Sequence, residues 1–139
     1  MDDSWLIFPM AAMVLLTFST LVRLFRARTA AVAEGSVKTA FYRVFQGGSE
    51  PELSAKLARH FTNQFEAPVL FYACCLAAMA VHATNAALLI LAWAYVFLRA
   101  AHAYVHTGKN RLRPRILAYF LSWIVLLLMW GALVVRVLA

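Results

Sequence analysis

The stretch Leu57–Ala77, LARHFTNQFEAPVLFYACCLA, carries an arginine, an asparagine and a glutamate up to the edge of a long apolar run. These side chains are Arg59, Asn63 and Glu66, and no charged residue follows them between Ala67 and Leu98. Ionisable groups are costly inside a lipid bilayer, and where they occur they usually serve a function. The stretch therefore indicates a membrane protein with a polar site at one end of a membrane-spanning helix.

The composition supports a membrane protein, because 64% of the 139 residues are hydrophobic and 14% are charged, whereas soluble domains carry roughly 25% charged residues. The uncharged runs Trp5–Val22 and Ile116–Val135 are close to the ~20 residues that cross a bilayer as a helix. The run Ala67–Leu98 would be about 48 Å long as one helix, too long for one crossing. We expect it to turn at His82–Asn85, with Asn85 capping the next helix. The sequence thus predicts an all-α integral membrane protein of one domain, residues 1–139, with four spans at about 5–26, 57–81, 86–106 and 114–136.

The basic residues predict the orientation of these spans. Seven of the thirteen Lys and Arg residues lie between Arg23 and Arg59, and five lie between Arg99 and Arg115. By the positive-inside rule, both segments face the cytoplasm, including a loop at about 27–48. The positive net charge is thereby explained by topology, and we expect no nucleic-acid partner. Acidic residues at the N-terminus argue against a signal peptide, so we expect the first span to be retained.

The second helix is predicted to begin before the membrane and to bend inside it. Ser49 precedes Glu52 by three residues, a pattern typical of a capping box at a helix N-terminus. Pro68 removes a backbone hydrogen bond and frees the carbonyl of Gln64. We therefore expect one helix from about residue 49 to residue 81, with a bend beside the polar residues.

Two polar faces are predicted to oppose each other. Arg59, Asn63 and Glu66 fall within about 60° of one another on one helix face. On the third helix, Arg99, His102 and His106 share a face through their i, i+3, i+7 spacing. We measured depth along each helix from the non-cytoplasmic turn at 82–85, at about 1.5 Å per residue. Glu66 then lies about 22 Å from the turn and Arg99 about 21 Å from it, so we expect an ion pair between them. The same count pairs Asn63 with His102 and Arg59 with His106.

The cluster has three interpretations from its residues alone. It can be purely structural, an ion pair that locks two helices. It can bind a small anionic ligand, because it holds more cationic and polar groups than one ion pair requires. Metal binding by the H-x3-H pair is disfavoured, because the surroundings are cationic and no companion glutamate follows the HExxH pattern. The adjacent Cys74 and Cys75 cannot both face one site, so we expect them to pack in the core.

The segments RHFTNQFEAPVLFY and FLRAAHAYVHTGKNRLRPR resemble the second-helix signature and the third-helix end of the MAPEG family, the membrane-associated proteins of eicosanoid and glutathione metabolism. The core of that signature is Arg-x3-Asn-x2-Glu followed by a proline. The resemblance is to bacterial members and implies a homotrimer of four-helix protomers in a bacterial inner membrane. It also implies that glutathione binds near the cytoplasmic face, as cosubstrate in a transferase or peroxidase reaction with lipophilic electrophiles.

The resemblance further implies roles for individual residues. Glutathione contacts would come from Arg59, Asn63, Glu66, Arg99 and an arginine at the end of the first helix, Arg26 or Arg28. His102 and His106 are added to this predicted binding set because they share a helix face with Arg99. An arginine at the start of the fourth helix would hold the sulfur as thiolate. Arg113 is the nearest match for this catalytic role, with Arg111 and Arg115 as competitors.

Two other functions stay open. Glutathione-active members often carry tyrosines where this chain has Ala67, His102 and His106, which favours another thiol or a non-catalytic lipid-binding or scaffold role on the same fold. Small multidrug exporters also have four short spans. They place an essential glutamate in the first span, however, and this chain has no acidic residue there after Asp3.

Overall fold

The computed structural model describes residues 2–108 and 111–139, and helices are the only regular secondary structure within them. A short 3-10 turn, Asp3–Leu6, leads into the first helix. The helices are α1 (Ile7–Ala33), α2 (Phe41–Val44), α3 (Glu52–Asn63), α4 (Ala67–Ala80), α5 (Ala86–Thr107) and α6 (Leu112–Leu138). The all-helical prediction is confirmed for the described residues.

Three segments of the described chain are long and apolar enough to cross a membrane: Asp3–Ala33, Ala86–Thr107 and Leu112–Leu138. The first of these continues past residue 26, where the sequence predicted a loop, because residues 27–33 contain no glycine or proline. The connection begins instead at Glu34, and Gly35 follows with a φ of +74°, a backbone conformation that suits glycine. The predicted loop at 27–48 is therefore shortened at its start.

The predicted continuous second helix is wrong, because the structure interrupts it at residues 64–66. α3 ends at Asn63, and Glu66 adopts φ −96° and ψ −100°, outside the helical region. Pro68 then sits in the first turn of α4, where its missing N–H costs no hydrogen bond. At about 1.5 Å per residue, α4 is about 21 Å long, and neither half alone has the length of a full crossing.

One of the two predicted helix caps is present. Asn85 Oδ1 accepts a hydrogen bond from the Leu88 N–H at 2.9 Å, so its prediction as the cap of α5 is confirmed. The predicted capping box at Ser49 is wrong, because α3 begins later than that pattern requires. Pro51 occupies the N-cap position and offers no side-chain acceptor.

The core lies between α4, α5 and α6, with α1 against one side. α5 and α6 make the most extensive helix pair, α4 packs on α6, and α1 packs mainly on α3. Phe71 stacks on Tyr95 with ring centroids 4.7 Å apart and planes 11° apart. Cys74 and Cys75 are free thiols, fully buried in the same cluster, as their predicted packing role requires. α3 also packs on α5, so the ends of α3, α5 and α6 meet at the polar site.

Candidate functional site

A buried arginine forms the base of the site. Arg99 on α5 is completely buried, and its Nη2 donates to the Asn63 side-chain oxygen at 2.7 Å and to the Asn63 carbonyl at 3.0 Å. The carbonyl of Asn63 is available because α3 ends there, so the helix break supplies an acceptor that a continuous helix would have used. Arg99 Nε and Nη1 have no hydrogen-bond partner among the described residues.

The predicted ion pair between Glu66 and Arg99 is not formed. Glu66 is exposed, and its Oε2 accepts a hydrogen bond from Asn63 Nδ2 at 3.1 Å. Asn63 therefore stands between the carboxylate and the guanidinium and contacts both. The depth count failed because it assumed a helix that continues through residues 64–66, where the backbone instead turns the Glu66 side chain outward.

Three imidazoles lie together beside this pair. His60 on α3 is fully buried, and its ring centroid lies 5.7 Å from that of His102 and 5.2 Å from that of His106. The rings of His102 and His106 are 5.5 Å apart on α5. Gln64 fixes the back of the cluster, with its Nε2 3.0 Å from His60 Nε2.

The cluster is basic and largely dehydrated. Burial, and then the neighbouring His106, His102, Arg99 and Arg23, lower the pKa of His60 to about 3, so this imidazole is neutral at physiological pH. α3 lies outside the three candidate spans. One ring nitrogen on each imidazole, His60 Nδ1, His102 Nε2 and His106 Nδ1, has no partner among the described residues.

The proton position on His102 follows from its contact with α6. His102 Nδ1 lies 3.2 Å from the Arg115 carbonyl oxygen, which can only accept, so Nδ1 carries the proton. In the neutral ring, Nε2 then holds a lone pair. Among the described residues, the site thus contains a buried acceptor nitrogen on His102 and buried donors without partners on Arg99.

A pocket of about 220 Å³ opens beside these groups. It is bounded by polar residues from three helices, and two apolar residues of α6 form its outer edge, of which Phe120 is 60% exposed. Its lining comprises Asn63, His102, His106, Arg115, Ile116, Tyr119 and Phe120. A cationic, imidazole-lined pocket of this size suits a small anionic or thiol group.

The other predicted arginines lie apart from this pocket. Arg113 and Arg26 are exposed and do not line it, while Arg111 lines a different pocket next to Tyr104. Arg28 is held by Glu50, whose Oε1 accepts from its Nε at 2.8 Å. Arg59 is exposed on α3, close enough to His106 to act on it electrostatically.

The sequence prediction missed His60 and Tyr119 and ranked Arg115 below Arg113. His60 and Gln64 follow Arg59 and Asn63 directly, so they form a second polar stripe rotated by about 100° on α3. Their i, i+4 spacing was the available signal. Tyr119 lies one helical turn after Arg115, which places both on the same face of α6.

Within residues 2–108 and 111–139, no group of three or more His, Cys, Asp or Glu side chains is arranged to hold a metal ion. The surrounding guanidinium groups also oppose a bound dication.

Fold and site together define an all-helical membrane protein with a polar pocket between its helices. The sequence model of the MAPEG family matches residues 6–135, nearly the whole chain, and the protein belongs to that family. No curated protein and no solved structure matches the chain. Membership is consistent with glutathione-related transferase or peroxidase roles in general.

Proposed function

We propose that the protein is a glutathione-dependent transferase or peroxidase that acts on lipophilic electrophiles, with the cosubstrate thiol in the 220 Å³ pocket. The observation that carries the proposal is the position of Arg115 in the pocket wall, next to His102 and His106. We assign the catalytic role to Arg115 rather than Arg113, because Arg113 is exposed and does not line the pocket.

The chemistry requires a thiolate. A free thiol has a pKa of about 8.5, and a guanidinium that lowers it by ~2 units makes the thiolate the main form at neutral pH, a shift equivalent to about 2.7 kcal/mol. The thiolate attacks an electrophilic carbon, forms a thioether and displaces halide. With a hydroperoxide, two thiols become a disulfide while the peroxide is reduced to alcohol and water.

The pocket supplies further contacts for glutathione, which carries two carboxylates. Two nitrogens of Arg99, Nε and Nη1, have no partner among the described residues, and Asn63 joins Arg99 to the pocket. Arg59 and Glu66 lie on the exposed side of the same helix end, where they can meet the ends of a longer ligand. Lipophilic electrophiles would arrive from the bilayer past Ile116 and Phe120.

The test compares two arginines on one helix. Glutathione binding is measured by calorimetry in detergent, and conjugation of an aryl halide is measured for the wild type, Arg115→Leu and Arg113→Leu. We expect Arg115→Leu to lose about 25-fold in rate near pH 7, because returning the thiol pKa from about 6.5 to about 8.5 lowers the thiolate fraction from about three quarters to about 3%. Arg113→Leu is the matched control. Equal loss in both variants, or no glutathione binding to the wild type, would contradict the proposal.

We propose a homotrimer in a bacterial inner membrane, with the pocket facing the cytoplasm. The break at residues 64–66 and α4 together would form a fourth crossing that is shorter than the other three. Two observations support this proposal: the family membership, and the concentration of basic residues in the two segments predicted to face the cytoplasm, 23–59 and 99–115. Four crossings put both termini on the same side, whereas three put them on opposite sides. Reporter fusions at each terminus distinguish these, and the mass of the detergent complex by light scattering tests the trimer.

A non-catalytic lipid-binding role is the second candidate, and one observation favours it. An apolar pocket of about 470 Å³ lies between α1 and the α3–α4 break, lined by residues that include Phe18, Phe61, Phe65 and Tyr72. A protein of this kind would bind lipid and show no thiol-dependent turnover in the experiment above.

A further inference from the structure

His60 is a buried titratable group beside the pocket that the proposed chemistry does not use. It comes from α3, whereas the two imidazoles it contacts both come from α5. His102 and His106 line the pocket, and His60 does not. It therefore lies behind the pocket wall, in contact with both rings that form it.

The position of His60 is itself fixed. Its side chain is fully buried, and Gln64, one turn later on α3, holds its Nε2. Each of the three rings, His60 included, keeps one nitrogen without a partner among the described residues. His102 has one hydrogen bond, to the Arg115 carbonyl, and its Nε2 is unpartnered among the described residues, as is His106 Nδ1. Contact with a fixed third ring restricts the rotation of both.

We propose that His60 is a positioning residue, whose ring packs behind His102 and His106 and holds them in the orientations that form the pocket wall. His60 acts through the shape of its ring. A flat ring at this position fills the space between α3 and α5 at the level of both imidazoles, and a small side chain leaves them free to rotate. Its catalytic consequence rests on the proposed function, whereas its structural consequence does not.

The chain contains four histidines, which makes a direct test simple. Ring ¹³C and ¹⁵N signals of labelled histidine are recorded in detergent without ligand. We expect His102 in the wild type to carry its proton on Nδ1. In His60→Ala, the His102 and His106 signals should shift and broaden as the rings sample other orientations. In His60→Phe, which keeps a flat ring, both should stay near their wild-type positions.

The control is His82→Ala, because His82 is exposed at the opposite end of the bundle, paired with Asp3. That change should leave the His102 and His106 signals unaltered. Unchanged signals in His60→Ala would overturn the proposal, as would a His60→Phe spectrum that matches His60→Ala. If the alanine variant does not fold, His60→Phe decides alone, because displaced His102 and His106 signals in that variant would refute the role of ring shape.

Activity provides the second measurement. With glutathione, His60→Ala should lower kcat by roughly ten- to a hundredfold through misplaced contacts, with a smaller change in KM, and His60→Phe should recover most of the rate. If the wild type neither binds nor uses glutathione, the proposed function fails, while the ring signals still test the role of His60.

Discussion

The apolar core and the polar cluster are both buried, but they differ in how many buried polar atoms lack a hydrogen-bond partner. In the core, Phe71 stacks on Tyr95, Cys74 and Cys75 fill the space beside them, and among the described core residues the Tyr95 hydroxyl is the one such atom. The polar cluster instead contains buried nitrogen and oxygen atoms without partners among the described residues. They belong to His60, Gln64, Arg99, His102 and His106.

This contrast separates stability from function. Burying apolar side chains stabilises a fold, whereas burying polar atoms without hydrogen bonds costs about 1–3 kcal/mol each, and more for a charge. The polar cluster is therefore expensive in the free protein. A ligand that supplies acceptors to Arg99 and the imidazoles would recover part of that cost on binding, which gives the site its expected affinity for anions.

The largest effect should come from the core. Phe71→Ala removes a fully buried ring and leaves a cavity, so we expect a loss of about 3–5 kcal/mol in unfolding free energy. Thermal or denaturant unfolding in detergent measures it. Ligand binding by the surviving folded fraction should be unchanged. A loss of affinity comparable to the loss of stability would contradict the separation of the two regions.

The second effect concerns the acceptor of Arg99. Asn63→Ala removes the 2.7 Å hydrogen bond to a buried guanidinium, and we expect a loss of about 2–3 kcal/mol in stability. Glu66→Ala is the matched control, because Glu66 contacts the same asparagine but is exposed, and its loss should be under about 1 kcal/mol.

The origin of that cost can be tested by removing the charge. In Asn63→Ala with Arg99→Met, the buried cation is gone, so most of the stability should return while ligand binding stays absent. If the two single changes simply add in the melts, Asn63 does not stabilise the protein through Arg99.

Features that depend on short-range rules were predictable from the sequence. Runs of uncharged residues located the long helices, and Asn85 caps α5 through an acceptor that local chemistry specifies. The resemblance of RHFTNQFEAPVLFY identified the family, which the match over residues 6–135 confirms. These signals depend on spacing within one segment.

The contacts between helices were less predictable. A depth count along one unbroken helix paired Glu66 with Arg99. In the structure the backbone breaks at 64–66, and Arg99 donates a hydrogen bond to Asn63 instead. Pro68 signalled a bend, but whether a proline bends a helix or ends it depends on what packs around it. His60 was missed because the count followed only the face of Arg59.

The third prediction concerns acid. The unfolded chain binds a proton at His60 near pH 6.5, while the folded protein does so only near its lowered pKa of about 3. Stability should therefore fall as the pH drops from 6.5 towards 3, by about 2 kcal/mol at pH 5. Among the described residues, the charged and titratable groups that lower the pKa of His60 are all basic: Arg23 from α1, and Arg99, His102 and His106 from α5.

His60→Phe removes this titration, so its melting temperature should change less between pH 7 and pH 5 than that of the wild type. His82→Ala serves as the control, because His82 is exposed. Its acid sensitivity should match the wild type. A wild-type and a His60→Phe protein that lose stability in parallel would show that His60 is not the group that acid charges.

The smallest effect should come from the cap at the opposite end of α5. Asn85→Ala removes the acceptor of the Leu88 N–H, and we expect a loss of about 1 kcal/mol, with Asn85→Ser or Asn85→Asp recovering most of it. Because Leu88 belongs to the apolar core, the change should lower the melting temperature without altering ligand affinity or the histidine signals. Altered signals at His102 would mean that strain at one end of α5 reaches the other, and the two regions would then not be independent.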